Sequence, residues 1–238
     1  MNKLSVKLNT RLKVLYSIAE HINASIYVDI GADHGKLSAA LALNSSVLRV
    51  IATDISALSL DKAKILIKKL DLDAKVDFRV GNGLSVLEEN EADAIIISGM
   101  GAETIKEILK SANFTPKNLL LQPTRAPGIL LEYLFNSGFS VEKEEITFFD
   151  GRYYQTFFAR HTGFKDPSMM NFEKELLFFS PRALIDGDPY LKPMLEKYKN
   201  TLEKKLERSS KNEALLLELL KVKKAIDLSE EDSLWKKS

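Results

Sequence analysis

The feature that most constrains this chain is a short apolar strand that runs straight into a glycine turn and then a helix. Residues 27–35 read Tyr-Val-Asp-Ile-Gly-Ala-Asp-His-Gly, and an amphipathic run, Lys36 to Asn44, follows them. Glycine is required where the backbone takes a positive φ or meets a ligand without a Cβ in the way. A turn of this kind brings backbone N–H groups and a helix N-terminus close to a ligand.

A second strand, predicted over 47–52, ends in Thr53 and Asp54. An acidic residue about 20–25 positions after a glycine turn, at the end of the next strand, is placed to bind ribose hydroxyls. The turn itself lacks the G-x-G-x-x-G spacing of dinucleotide-binding proteins. Together the two features indicate a nucleoside cofactor and argue against a dinucleotide.

Strands and helices alternate over residues 25–135, which predicts a doubly wound parallel sheet. Ligands of such sheets bind at the carboxyl ends of the strands, and glycine turns at 31–35, 81–83 and 99–101 all fall at those ends. We also expect a helix ahead of the sheet and two final strands that pair across Asp150-Gly151. Their predicted bounds are 8–22 for the helix and 139–146 and 153–160 for the strands.

The character of the chain changes at about His161, where a linker is predicted. Apolar residues then recur close to a 3.5-residue repeat over 191–206 and again over 215–226, with a lapse at 208–212. We interpret these runs as an antiparallel helical hairpin; one continuous helix is the alternative, and the hairpin could also dimerise the chain. The predicted domains are residues 1–162 and 163–238.

Composition excludes several classes of protein. The 238 residues contain no cysteine, which rules out a disulfide framework, a thiolate metal site and a cysteine nucleophile. No His, Asp and Glu pattern predicts a metal site. We expect a cytoplasmic protein, because the chain has neither a signal-peptide pattern at its start nor an apolar run of about 18 residues.

The net charge of +1 conceals two basic segments. Residues 1–13 carry Lys3, Lys7, Arg11 and Lys13 without an acid, and residues 189–224 carry ten Lys or Arg against five Asp or Glu. Each cluster alone is typical of a solvated helix face. The functional alternative is contact with the phosphates of a nucleic acid.

The order of these motifs resembles a known family, the bacterial tRNA adenine-N1 methyltransferases of the TrmK type. The resemblance is carried by VDIGADHGKL, Thr53-Asp54, GNGL at 81–84, IIISGMG at 95–101 and LLLQP at 119–123. It implies a class I fold dependent on S-adenosylmethionine (SAM), with a Rossmann-like, mostly parallel seven-stranded sheet and a C-terminal coiled-coil hairpin. It also implies methylation of adenosine 22 in tRNA. Independently of the resemblance, we expect a monomer rather than a dimer.

The resemblance assigns roles to residues of this chain. Asp33 and its neighbours would line the methionine end of SAM, Asp54 would hold the ribose, and Ile55 and Asn82 would meet the adenine. The complete predicted cofactor set is Asp29, Gly31, Asp33, His34, Gly35, Asp54, Ile55, Asn82, Gly83, Gly99, Met100 and Gly101. The chain departs from the family pattern at Asn82 for Asp, Ala102 for Gly, Thr124 for Asn and Ser180 for Gly.

Methylation of N1 needs little acid–base chemistry, because that nitrogen has an available lone pair at neutral pH. Proximity and orientation therefore matter most, and the base has to be unstacked or flipped. The product is a cation, and Asp33 is the predicted catalytic carboxylate that stabilises it. Candidate RNA contacts are Lys7, Arg11, Arg125, Arg152 and Tyr153. Because Tyr153 and Tyr154 are adjacent on a strand, one of them is expected in the core.

Two other functions remain open on sequence grounds. One is a SAM-dependent methyltransferase of another RNA, a small molecule or a protein. The other is a non-catalytic RNA-binding module that retains a vestigial SAM fold. The absence of an Asn-Pro-Pro-Tyr type motif argues against methylation of the exocyclic N6 amine.

Overall fold

A computed structural model describes residues 6–166 and 179–230. A seven-stranded sheet has the order β3-β2-β1-β4-β5-β7-β6. The first five strands are parallel, whereas β7 pairs antiparallel with both β5 and β6. This confirms the predicted sheet. The strands are Ile26–Ile30, Arg49–Asp54, Val76–Val80, Ala94–Ser98, Asn118–Gln122, Phe139–Phe149 and Arg152–His161.

Capping side chains mark the start of two of the helices that the structure describes. Asn9 accepts a hydrogen bond from Leu12 N (2.9 Å) and Ser56 accepts one from Ser59 N (3.2 Å), which are N-cap interactions. The turn at 81–83 opens a single 3₁₀ turn, Gly83–Val86. Helices α1 to α8 are Thr10–Ile22, Lys36–Leu43, Ala57–Lys69, Ala102–Lys110, Pro127–Asn136, Pro181–Asp186, Leu191–Arg208 and Glu213–Glu230.

The sheet carries one hydrophobic cluster on each face. Strand β4 is buried from Ala94 to Ile97, as its continuous apolar run predicts for a strand covered on both faces. One cluster joins Leu15 and Ile18 of α1 to the sheet. The other runs from the sheet into the C-terminal helices, where it includes Leu195 of α7 and Val222 of α8. The predicted division into domains at 162/163 stays a prediction.

The C-terminal apolar runs form two helices, so a single continuous helix is excluded. Helix α7 ends at Arg208, and α8 begins at Glu213. Ion pairs connect Lys192 with Glu230 (2.6 Å) and Lys223 with Glu203 (3.7 Å), so the two helices run antiparallel. The described part of the chain contains no helix long and apolar enough to cross a membrane.

The final two strands are longer than predicted, and they turn at the expected place. Asp150 and Gly151 have φ values of +49° and +72°, which suits the tight hairpin turn predicted there. Tyr153 and Tyr154 are both half-buried. Neither is fully buried, as the expectation of one core residue requires, but Tyr153 packs against the hydrophobic cluster.

Candidate functional site

Four chain segments meet at the carboxyl ends of the parallel strands. Ile30 pairs with Thr53 on one side and with Ile97 on the other, and Asp54 pairs with Val80. This register brings together the residues that follow each strand. We call the segments 31–35, 53–56, 81–83 and 99–101 the carboxyl edge. The three predicted glycine turns are therefore neighbours in space.

The first turn of the carboxyl edge is tied to the strand beside it. Gly31 N and Ala32 N both donate to Thr53 O (2.8 and 2.9 Å). Asp33 N donates to Asp54 Oδ2 (3.2 Å). Gly31 and Asp33 have φ values of +73° and +48°. The turn therefore bends over the end of β2, with the Asp33 side chain exposed to solvent and His34 Nε2 3.7 Å from its Oδ2.

Gly35 is the N-cap residue of α2 and has a packing role. Its φ is +66°, and a Cβ added there would lie 2.7 Å from the Cβ of Ala63 and 3.1 Å from its Cα. The absence of a side chain thus allows α2 to approach α3 closely. Gly83 is similar, since a Cβ there would lie 2.8 Å from Ile108 Cγ2. Both glycines are buried, so close approach between elements already explains them.

Asp54 is only partly covered and keeps hydrogen-bonding capacity. Its Oδ1 accepts from Ser56 N (2.8 Å), and its Oδ2 accepts from Asp33 N. Each carboxylate oxygen can accept a second hydrogen bond. Next to it lie apolar side chains that are open to solvent: Ile55 and Leu58 are each 76% exposed, and Val80 is 54% exposed. A carboxylate beside an uncovered apolar surface suits a nucleoside, with hydroxyls on one side and a flat base on the other.

Asn82 lies at the next strand end, where the resemblance has Asp. It is exposed, and its side chain makes no capping hydrogen bond to the 3₁₀ turn that follows. The amide can therefore accept from an adenine amino group through its oxygen. The departure from Asp removes a charge and leaves an acceptor in place.

Asp29 lies beneath the carboxyl edge, with 3% of its surface exposed. Ser38 Oγ of α2 donates to its Oδ2 (2.7 Å), so the carboxyl connects β1 with the helix that follows. Burial raises the pKa of Asp29 to about 6, and the nearby Arg11 charge acts in the opposite direction. Asp29 is one of the predicted cofactor residues, and it stabilises the turn at 31–35 from the protein interior beneath it.

Arg11, one of the predicted RNA contacts, is held at the end of β5. Its Nη1 donates to Gln122 Oε1 (3.0 Å), and its guanidinium lies 5.7 Å from the centre of the Tyr154 ring. Gln122 is fully buried and donates in turn to Thr156 Oγ1 (2.8 Å). Burial lowers the pKa of Arg11. Arg11 is thus built into the end of β5, and only part of it faces solvent.

Gln122 is the residue of this site that sequence reasoning missed. In the sequence, the motif at 119–123 indicates a strand stopped by a proline and carries part of the family resemblance, but it assigns no role to Gln122. A glutamine that ends an otherwise apolar strand is the signal, because a buried amide requires hydrogen-bond partners. It finds them in Arg11 and Thr156, which lie 111 and 34 residues away.

The turn at 99–101 contacts both its neighbours. The Met100 side chain lies against Gly31, and Met100 O accepts from Thr124 N (2.8 Å). A Cβ added to Gly101 would lie 2.8 Å from Arg125 Nε, so the exposed Arg125 side chain passes beside this turn. Around Gly99, a Cβ would meet nothing within 4 Å. The turn therefore borders open space on one side and residues 124–125 on the other.

The remaining predicted RNA contacts lie away from the turns. Lys7 is exposed ahead of α1, and Arg152 is exposed at the start of β7. The Tyr153 ring packs against Phe148 (4.8 Å between ring centres) and Tyr190 (6.4 Å). The basic residue Lys3 lies outside the described part of the chain. Within residues 6–166 and 179–230, no group of three His, Asp or Glu side chains could hold a metal ion.

Comparison with known proteins agrees with this geometry. Residues 8–157 match the family described as "Methyltransferase domain". The tRNA (adenine(22)-N(1))-methyltransferase of Bacillus subtilis is 35% identical over 163 residues, which are 67% of this chain and 66% of that protein. The aligned segment thus spans just under two thirds of this curated relative.

Solved structures share the fold over nearly the whole chain. The B. subtilis M1A22 tRNA methyltransferase TrmK has a TM-score of 0.80 at 25% identity, covering 95% of this chain and 99% of that one. TrmK of M. capricolum, solved with S-adenosyl-homocysteine, has a TM-score of 0.82 at 23% identity, covering 93% and 98%. The chain therefore belongs to the methyltransferase-domain family. The resemblance to the TrmK type and the class I fold predicted from the motifs are confirmed.

Proposed function

We propose that this protein is a SAM-dependent methyltransferase that modifies N1 of adenosine 22 in tRNA. The observation that carries the proposal is Asp54, a carboxylate with free lone pairs beside the exposed Ile55, at the glycine-rich carboxyl edge of a methyltransferase-family sheet. The name of the 35% identical relative supplies the nucleotide and its position.

The side chains at the carboxyl edge suit SAM in size and polarity. Asp54 would accept hydrogen bonds from the ribose, Ile55 would cover one face of the adenine, and Asn82 would meet its edge. The N–H groups in the first turn of α2 have no partner within the helix and favour a negative charge. They would receive the carboxylate of the methionine tail. The bound cofactor supplies an electrophilic methyl group.

The chain's own contribution to the reaction is to position the adenine. N1 needs no deprotonation, so binding in an in-line orientation can provide several kcal/mol. The open space at Gly99, bordered by Met100 and by residues 124–125, is where we place the base. N1 becomes positively charged when it gains the methyl group, and the exposed carboxylate of Asp33 is the proposed stabilising charge.

Contact with tRNA would involve the basic residues near this opening. Arg125 borders the turn directly, whereas Arg152 and Tyr153 lie on β7, beyond residues 124–126. Arg11 is held by Gln122 and Tyr154, so its proposed role is to place a fixed charge near the opening. We propose a monomer. The cytoplasmic location expected from the sequence stays a prediction.

The test is transfer of a labelled methyl group from SAM to tRNA, followed by analysis of the nucleosides. We expect 1-methyladenosine with the native protein. Asp54→Ala should weaken SAM binding about 30-fold, since hydrogen bonds to a charged group contribute about 2 kcal/mol, and calorimetry measures this change. Asp61→Ala is the matched control, because Asp61 is an exposed residue of α3 that pairs with Lys64.

The outcomes separate the competing functions. SAM binding without transfer to any tRNA would point to a small-molecule, protein or other RNA substrate. No SAM binding would favour the non-catalytic RNA-binding module. With Asp33→Asn, we expect a lower kcat with an unchanged Kd for SAM; a change in SAM binding alone would place Asp33 in cofactor binding instead.

A further inference from the structure

A large cavity lies where the sheet meets the C-terminal helices. Its volume is about 910 Å³, within the range of sites that bind small molecules. Three parts of the chain form its walls: the segment that begins α5, the start of β7, and the facing sides of α7 and α8. The lining is largely apolar and includes Ala126, Tyr153, Leu195, Tyr198 and Leu217. We call it the C-terminal cavity.

The C-terminal cavity adjoins the carboxyl edge through one short segment. Thr124 lines the cavity, and its N–H donates to Met100 O of the turn at 99–101. Arg125 O accepts from Ala102 N (3.2 Å) on the same side. Ala126, which also lines the cavity, has a φ of +52°, a conformation that side chains other than glycine rarely adopt. Residues 124–126 therefore border both the proposed adenine position and the cavity.

The charges in the cavity favour an anionic occupant. Among the described residues, its lining contains the cations Arg152, Lys197 and Lys221 and one carboxylate, that of Glu218. Glu218 already accepts a hydrogen bond from Tyr198 Oη. Arg152 and Lys221 have no ion-pair partner in the described part of the chain. Two cations are thus available for a ligand.

The aromatic lining favours an occupant with a flat ring. Tyr153 is braced by Phe148 and Tyr190, which limits its movement. Lys197 Nζ lies 5.8 Å from the centre of the Tyr153 ring and donates to Gly151 O. Stacking of a nucleobase on such a side chain contributes about 1–3 kcal/mol and tolerates any base.

We propose that the C-terminal cavity binds a nucleotide of the RNA substrate that neighbours the methylated adenosine. Its base would stack on Tyr153, and its phosphate would lie near Arg152 and Lys221. The inference rests on the proposed function, because it assigns the cavity to the same RNA. A base that is taken out of its stack leaves neighbours that have to be held. A cavity beside the adenine position would perform that task.

The test measures binding of unmodified tRNA to the full chain without SAM, by fluorescence anisotropy. Ala214→Trp fills the cavity from an exposed position at the start of α8, and Lys221→Gln removes one cation. Each should raise the Kd for tRNA about fivefold or more. Lys221→Gln should also lower the salt slope of log Kd by about one, as expected for one lost phosphate contact.

Matched variants separate this effect from general electrostatics and from misfolding. Lys223→Gln removes the same charge two residues along α8, where Lys223 pairs with Glu203 outside the cavity; it should change the Kd less than twofold. Tyr153→Phe should bind like the native protein, whereas Tyr153→Ala should bind about tenfold more weakly. All variants should keep the native Kd for SAM, which shows that they are folded.

Each outcome decides a different point. The cavity proposal would be overturned if the variants of the C-terminal cavity bound tRNA like the native protein. It would also be overturned if Lys223→Gln weakened tRNA binding as much as they do. Both conclusions hold even if 1-methyladenosine is formed. Weakened pocket variants without any 1-methyladenosine would overturn the proposed function and leave the cavity as an RNA site. Failure of the native protein to bind tRNA would overturn both.

Discussion

Polar groups are used differently at the carboxyl edge and at the place where the C-terminal helices join the sheet. At the carboxyl edge, Asp54 bonds to backbone N–H groups nearby and keeps lone pairs open to solvent. We call Glu144, Gln155, Ser180 and Asp188 the C-terminal joint. In this joint, Glu144 is only 4% exposed. It accepts from Gln155 Nε2 (3.1 Å) and Ala183 N (3.2 Å).

The joint directs its hydrogen bonds inward and connects distant segments. Asp188 accepts from Ile146 N of β6 (2.9 Å) and from Tyr190 N next to α7 (2.8 Å). Ser180, which stands where the family resemblance has glycine, has a φ of +58°, and its hydroxyl bonds to Gln155. Acidic side chains at the carboxyl edge are therefore available for a ligand, whereas those at the joint already accept hydrogen bonds from within the protein.

The largest effect on the free energy of unfolding is expected from a substitution that disturbs close packing at the carboxyl edge. Gly35→Ala should lower the free energy of unfolding by about 2–4 kcal/mol, because it adds a left-handed alanine and forces α2 away from Ala63. Urea unfolding measures this change. Ala63→Gly, introduced into Gly35→Ala, should recover part of the loss by making room for the new Cβ.

Gly99→Ala is the control for backbone strain alone. Gly99 has a φ of +78° with nothing near its Cβ position, so we expect a loss of only about 1 kcal/mol. Equal losses at Gly35 and Gly99 would show that the contact between α2 and α3 contributes little, and would weaken the contrast between packed and open glycines.

The next effect is a pH dependence at the C-terminal joint. Burial raises the pKa of Glu144 to about 7. The folded state therefore binds this proton more tightly than the unfolded chain, whose glutamates have a pKa of about 4.3. The resulting stability is fully present below about pH 4 and is lost as the pH rises through 7. Glu144→Gln, which mimics the neutral acid, should remove this part of the pH dependence.

Unfolding free energies at pH 5 and pH 8 measure the change. Between pH 5 and pH 8, the free energy of unfolding of the native protein should fall by on the order of 2 kcal/mol more than that of Glu144→Gln. Glu142→Gln is the control, since Glu142 is an exposed residue of the same strand that pairs with Arg160. Parallel pH profiles for the native protein and Glu144→Gln would contradict the assignment.

The smallest effect is expected where α7 touches the β6–β7 turn. Lys197 donates to Gly151 O and lies over the rings of Phe148 and Tyr153. Lys197→Met keeps most of the side-chain length and should lower the unfolding free energy by about 0.5–1 kcal/mol. Lys205→Met, at an exposed position of the same helix, should change it less. A loss above 2 kcal/mol would make Lys197 part of the joint.

Much of the carboxyl edge could be predicted from sequence because its determinants are local. Glycine at 31, 35, 83 and 99 marks positive φ, and Asp54 follows from its distance to the first turn. The capping residues Asn9 and Ser56 are determinants of the same local kind, because each bonds to a backbone N–H only three residues away. The strand ends differed from the predicted ones by up to three residues, since the pairing partner decides where a strand stops.

The sequence by itself determined the alternation of strands and helices and the glycine turns, because each depends on backbone preference and apolar spacing within a few residues. It favoured two C-terminal helices over one, and the structure excluded the continuous helix. Only the tertiary structure decided that Arg11 bonds to Gln122, that Glu144 is buried against Ala183, and that a cavity separates β7 from α8. Those features depend on side chains that meet across 39 or more residues of chain. A local sequence pattern does not predict these contacts, because they are stabilised by burial and pairing that exist only after the elements have packed.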